Sequence, residues 1–170
     1  MDITLRLAGV IKESVVDGPG WRFVVFAQGC PHHCPGCHNP ETHDFQGGYE
    51  STIDKLLAEI RKNPLLKGIT LSGGEPFSQA ANFAALAEAV RNLGLDVITY
   101  TGWTLEQLLA GQAENPGWQA LLEASDVLID GPYDAAQRTL GLPFRGSRNQ
   151  RILDVKASLA AGYALETAFA

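Results

Sequence analysis

Cysteine is nearly missing from this 170-residue sequence: Cys30, Cys34 and Cys37 are the only three, and the positions outside residues 30–37 hold none. That excludes a disulfide framework, which needs pairs and an oxidising compartment; a tight, odd-numbered group points instead to a metal site in a reducing one. Long apolar runs are also lacking. Nothing approaches the roughly 20 residues needed to span a bilayer, and residues 3–11 alternate polar and apolar where a targeting segment would show a basic stretch followed by an apolar one. The expectation is a cytoplasmic protein with no membrane role. Basic residues are in deficit, 13 Lys and Arg against 19 Asp and Glu, for a net charge of -6. A nucleic-acid surface needs clustered Lys and Arg to displace counterions, so no nucleic-acid partner is expected. Internal repeats, low-complexity tracts and linkers are absent as well, which predicts a single domain over residues 1–170.

What is present is a regular alternation of patterned segments. Ile3 to Ile11 alternates as a strand, and Asp17-Gly18-Pro19-Gly20 makes a tight turn into the β-rich run Trp21 to Phe26. The spacing predicts a helix opening at Ser51, with Ile53, Leu56, Leu57 and Ile60 on one face and Asn63-Pro64 ending it. A short strand, Gly68 to Leu71, is followed by a helix with Phe83, Leu86, Val90 and Leu93 on one side and Gly94 at its end. Asp96 to Tyr100 reads as a strand, Thr104 and Gln107 have capping-box spacing, and Trp118 to Leu122 reads as helix. Val127 to Ile129 and Arg151 to Val155 complete the strands.

Strands alternating with helices in this way predict an α/β fold, a mainly parallel sheet with covering helices. Four unusual loops each follow a strand: Cys30 to His38, Ser72 to Pro76, Thr101 to Trp103, and Asp130 to Pro132. Ligands of parallel α/β folds bind at the carboxyl ends of strands, so these loops are expected to build one site. A closed eight-unit barrel needs about 250 residues, which leaves this chain a partial, laterally open (β/α) barrel.

The cysteine loop reads Cys30-Pro31-His32-His33-Cys34-Pro35-Gly36-Cys37-His38-Asn39-Pro40. Three thiolates with no fourth suit a cubane cluster in which one iron stays open to a ligand. They equally suit a structural zinc held by three cysteines and one of His32, His33 or His38. Spacing alone leaves both readings open.

The spacing Cys-x3-Cys-x2-Cys after one strand, with Gly73-Gly74-Glu75 after the next, resembles the radical S-adenosylmethionine superfamily. Asp17-Gly18-Pro19-Gly20-Trp21-Arg22, Cys37-His38-Asn39 and Ser72-Gly73-Gly74-Glu75-Pro76 resemble its glycyl-radical-enzyme activases. Cys34-Pro35-Gly36-Cys37, Tyr100-Thr101-Gly102, Asp130-Gly131-Pro132 and Arg145 to Gln150 look like the branch that serves anaerobic ribonucleoside-triphosphate reductases. The resemblance runs from about Val15 to Val155.

It implies a 4Fe-4S cluster on Cys30, Cys34 and Cys37, whose open iron takes the amino and carboxylate groups of S-adenosylmethionine. Gly73, Gly74 and Glu75 are implied beside the methionine moiety, with backbone groups or Glu75 accepting from its ammonium. Gly36, Cys37, His38, Thr101 and Asp130 are the other implied cofactor contacts, Asp130 toward the ribose. Gly36 departs from the aromatic residue that many superfamily members carry there. The implied partners are the large glycyl-radical reductase subunit and an external flavodoxin-like or ferredoxin-like electron donor, since no cysteines remain for further clusters. The alternatives are activation of another glycyl radical enzyme of the pyruvate formate-lyase type, radical chemistry on a small molecule, and a zinc-binding adaptor.

Overall fold

Alternation along the strands decides how this chain layers itself. In β5 (Asp96–Tyr100) Val97 joins one apolar cluster and Ile98 another, and in β6 (Val127–Asp130) Leu128 and Ile129 divide the same way. Successive strand residues point to opposite faces, so the sheet buries two unlike surfaces. The computed structural model describes residues 3–37 and 40–167.

The other strands are β1 (Thr4–Ser14), β2 (Trp21–Ala27), β3 (Tyr49–Thr52), β4 (Leu66–Gly73) and β7 (Arg151–Asp154). They form one seven-stranded sheet in the order β3-β1-β2-β4-β5-β6-β7. The central strands β2, β4, β5 and β6 are parallel neighbours, while β1 pairs antiparallel with β2 and β3, and β7 antiparallel with β6. The fold is therefore mixed α/β with a parallel centre and antiparallel margins.

Every α-helix among the described residues contributes to the larger cluster: α1 (Ile53–Arg61), α2 (Ala80–Arg91), α3 (Leu105–Gly111), α4 (Trp118–Ala124) and α5 (Val155–Ala161). There Ile60, Phe83, Leu86, Leu108 and Leu121 pack with Phe23, Val25, Ile69 and Leu71, each 2% exposed or less. Burying such a side chain contributes about 1.5–3 kcal/mol, so this face carries most of the apolar stabilisation. The opposite face has the small cluster of Ile98, Ile129 and Ile152 with Phe144 against it, and beside it Arg22 and Thr70. Arg22 has no exposed side-chain surface; it donates to Thr70 Oγ1 and the Ile69 carbonyl and pairs with Asp96 across the start of the parallel strands.

Two sequence expectations change. Ser51 belongs to strand β3, and Thr52 caps α1 instead, its hydroxyl accepting from the Lys55 amide. The run after Ile152 and Leu153 turns into helix at Val155, with Asp154 as cap. The expected parallel arrangement holds for β2, β4, β5 and β6, and antiparallel pairing is confined to the margins at β1, β3 and β7. The Thr104–Gln107 capping box is present in full. Among the described residues no helix is long and apolar enough to cross a membrane.

Candidate active site

The four strand-following loops meet at the carboxyl ends of β2, β4, β5 and β6, around an open cavity of about 740 Å³. Cys30, Cys34 and Cys37 line it together with Ser72, Gly73, Gly74, Tyr100, Thr101, Gly102, Gly131 and Tyr133. Val16 and Asp17 wall it from the β1–β2 turn, and Leu140, Leu142, Phe144 and Arg145 from the segment before β7. A cavity of that size accommodates a nucleoside-sized ligand.

Backbone bonds between loops hold the cysteine segment in place. The Gly74 amide donates to the Ala27 carbonyl and the Glu75 amide to Gly29, both at 2.8 Å, while Gly29 and Cys30 donate to Thr42 and His43. Gly74 has to be glycine, since a Cβ there would stand 2.4 Å from the Gly29 oxygen and 2.8 Å from that of Thr42. The Gly-Gly-Glu segment is thus joined to the residues leading into Cys30.

Cys30 is buried, and Cys34 and Cys37 are half-buried. Burial pushes the Cys30 thiol up to about 11, with the Glu75 charge and the neighbouring sulfurs adding and the His32 backbone opposing; burial also raises Cys34. Such thiols become thiolates at neutral pH only when cations replace their protons, as metal loading does. A tetrahedral zinc draws its thiolates to about 2.3 Å from a single centre. Among the described residues no three His, Cys, Asp or Glu side chains are gathered to hold one ion. The three thiols line one shared cavity, and a cubane, in which each would bind a different iron, would fit that donor set.

The remaining expected residues divide. Thr101 lines the cavity, but its hydroxyl donates to Glu75 and accepts from the Trp103 amide. Glu75 is fully buried; Oε1 accepts from Thr101, from the Gly102 amide and from His32, and Oε2 from the Phe77 amide. Asp130 is fully buried too. Arg151 grips it through Nε and Nη2 and the Leu105 amide donates to Oδ2, so in this arrangement its carboxylate is spent on the fold and not offered to a ribose. Gly36 lies beside the Tyr133 ring, 3.6 Å from where a Cβ would stand. His38 lies outside the described residues.

Sequence reasoning missed the structural use of His32 and the cavity positions of Tyr100 and Tyr133. Their signal was only proximity to motifs; Tyr133 directly follows Asp130-Gly131-Pro132. Tyr100 donates to the Phe144 carbonyl, and burial raises its hydroxyl well above the ordinary tyrosine range.

Comparison with known proteins places the chain. The model of the 4Fe-4S single cluster domain family matches residues 16–153. The anaerobic ribonucleoside-triphosphate reductase-activating protein of Vibrio cholerae is 37% identical over 147 residues, which span 81% of this chain and 90% of that protein. The proteins of the same name from Escherichia coli K12 and phage T4 are 31% and 35% identical over 144 residues, covering 90% and 86% of their own lengths. The crystal structure of QueE from Escherichia coli superposes on 59% of this chain and 53% of its own, with a TM-score of 0.48 and 18% identity. On its family match and on identities above 30% over most of both chains, this chain belongs to the 4Fe-4S single cluster domain family, among the anaerobic ribonucleoside-triphosphate reductase-activating proteins.

Proposed function

We propose that the chain activates an anaerobic ribonucleoside-triphosphate reductase by radical S-adenosylmethionine chemistry, with Cys30, Cys34 and Cys37 as the three protein ligands of a 4Fe-4S cluster. The observation that carries this is the convergence of the three thiols and the Gly73–Gly74 backbone on one cavity at the carboxyl ends of parallel strands. When bound, such a cluster supplies one electron to split the sulfonium carbon–sulfur bond, giving methionine and a deoxyadenosyl radical able to take hydrogen from a glycine Cα.

The protein's own part is binding, orientation and exclusion of water. The Ser72–Gly74 edge of β4 provides backbone groups for the methionine end. At the other end, Tyr133 beside Gly36 supplies the aromatic surface that Gly36 itself lacks, and so faces the adenine; on the family resemblance alone, His38 is kept as a proposed cofactor contact. Tyr100, Asp17 and Arg145 are the polar wall between them.

We read the side of the sheet that carries Ile98, Ile129 and Ile152 as the interior of a partial barrel, open laterally. Leu140 is 89% exposed and Val16 74% exposed, and both also line the cavity. An apolar rim of that kind suits a macromolecular partner, and the relatives are named as activators of the reductase, so the proposed occupant is its glycine-bearing loop. A small substrate would gain little from it. The electron donor is proposed to be an external flavodoxin-like or ferredoxin-like protein, and the compartment the cytoplasm.

Anaerobic reconstitution with iron and sulfide, followed by reductant and S-adenosylmethionine, should yield deoxyadenosine by chromatography. Cys30→Ala, Cys34→Ala and Cys37→Ala should each abolish it. A colourless protein that keeps zinc and cleaves nothing would overturn the proposal.

A further inference from the structure

The Glu75 carboxylate holds four protein donors from three loops: His32 Nε2 at 2.5 Å, Thr101 Oγ1 at 2.9 Å and the Gly102 amide at 2.8 Å on Oε1, and the Phe77 amide at 3.0 Å on Oε2. A carboxylate offers about four acceptor positions, so little capacity is left for a ligand. The side chain has no exposed surface, and it is not among the residues lining the cavity. An ammonium group would have to displace a buried donor and leave it unpaired.

His32 is seated with equal care. A carboxylate only accepts, so the imidazole donates from Nε2. Its ring meets the edge of Trp103 with centroids 4.7 Å apart, and its side chain is 11% exposed. A Cβ on Gly102 would stand 2.5 Å from His32 Cδ2, so glycine is what lets the ring lie there. His32 stands between Cys30 and Cys34, and holding it holds the approach of both sulfurs.

We infer that Glu75 and His32 form a positioning latch: Glu75 serves the site by pinning the cysteine loop through His32, and the ligand's ammonium is left to the backbone of Ser72 to Gly74. The Gly-Gly-Glu segment then has two separate jobs, glycines for close approach and a carboxylate for loop placement. For what the loop carries, this rests on the cluster reading above; the latch geometry stands without it.

Hydrogen exchange on the metal-free protein tests the latch directly, and kinetics of the reconstituted enzyme test its consequence. His32→Ala is expected to speed exchange of amides in residues 30–37 by about tenfold, the loss of roughly one buried hydrogen bond. In the loaded enzyme it should lower kcat while KM for S-adenosylmethionine stays within about twofold, since a positioning loss is not a binding loss. His32→Gln, which keeps an N–H donor at comparable reach, should restore both. Glu75→Gln keeps one acceptor oxygen for His32 and should fall between wild type and His32→Ala, and the double variant should add little to His32→Ala, as expected for partners in one contact.

Unchanged exchange in His32→Ala would overturn the latch. So would a KM raised by about tenfold in Glu75→Gln with His32→Ala at the wild-type value, the pattern of a lost ligand contact. Should Glu75→Gln fail to fold, the contrast between His32→Ala and His32→Gln decides alone. Failure of the wild-type protein to cleave S-adenosylmethionine would count against the proposed activity, whereas the exchange result concerns the latch only.

Discussion

Cys30 is the most enclosed of the three sulfurs, and its thiol is pushed from 9.0 to about 11 chiefly by burial. In the metal-free protein the folded state therefore holds this proton more tightly than the unfolded one. The contribution is at full strength below pH 9 and is lost as the pH climbs toward about 11. Metal loading runs the other way, because each ligand must give up its proton. Cluster assembly should therefore improve as pH rises from 7 toward 9, seen as growth of the sulfide-to-iron absorbance at fixed iron and sulfide. Assembly that is flat or falls over that range would contradict protonated thiols as the starting state. The cysteines and glycines of the site were legible because their motifs resemble those of a known family and each follows a strand that periodicity marks. The tasks of Glu75, Asp130 and His32 were not, since each is set by partners far along the chain: Thr101 and Gly102 for Glu75, Arg151 and Leu105 for Asp130, and Glu75 for His32.

Among the elements, the parallel centre depends on a polar clasp as well as on apolar burial. Arg22, at the start of β2, spans β4 and β5 through Thr70, the Ile69 carbonyl and Asp96. Arg22→Met should lower unfolding free energy by about 3 kcal/mol in urea titration, because buried acceptors lose their donor. Arg22→Lys should recover only part of it, since an ammonium cannot copy the guanidinium fork. Removing the helix α3 cap with Thr104→Ala should cost about 1 kcal/mol by the same measurement. The alternating strands and the α1 and α2 stripes were readable from periodicity. Strand β3 was not: its four residues, Tyr49 to Thr52, are exposed or half-buried and polar, so their pairing with β1 leaves no apolar pattern. Helix α5 escaped for a similar reason, with only Val155 and Ser158 buried in seven residues.

At the scale of the whole molecule, one sheet face is filled by helices and the other carries the small Ile98, Ile129 and Ile152 cluster, while the cavity at the strand ends has Val16 and Leu140 on its rim. If that rim receives the reductase, Leu140→Asp should leave deoxyadenosine formation within about twofold of wild type while reducing glycyl radical yield at least tenfold, the signature of a lost partner contact. Equal loss of both would place Leu140 in the cofactor site instead. The central claim, that radical chemistry begun at the cysteine cavity ends on a partner's glycine, is tested most directly by electron paramagnetic resonance. The reconstituted, reduced protein is mixed anaerobically with S-adenosylmethionine and an anaerobic ribonucleoside-triphosphate reductase. A stable glycyl radical signal on the reductase, appearing together with deoxyadenosine and absent with Cys34→Ala, is the expected result; deoxyadenosine formed at full rate with no glycyl signal would contradict it.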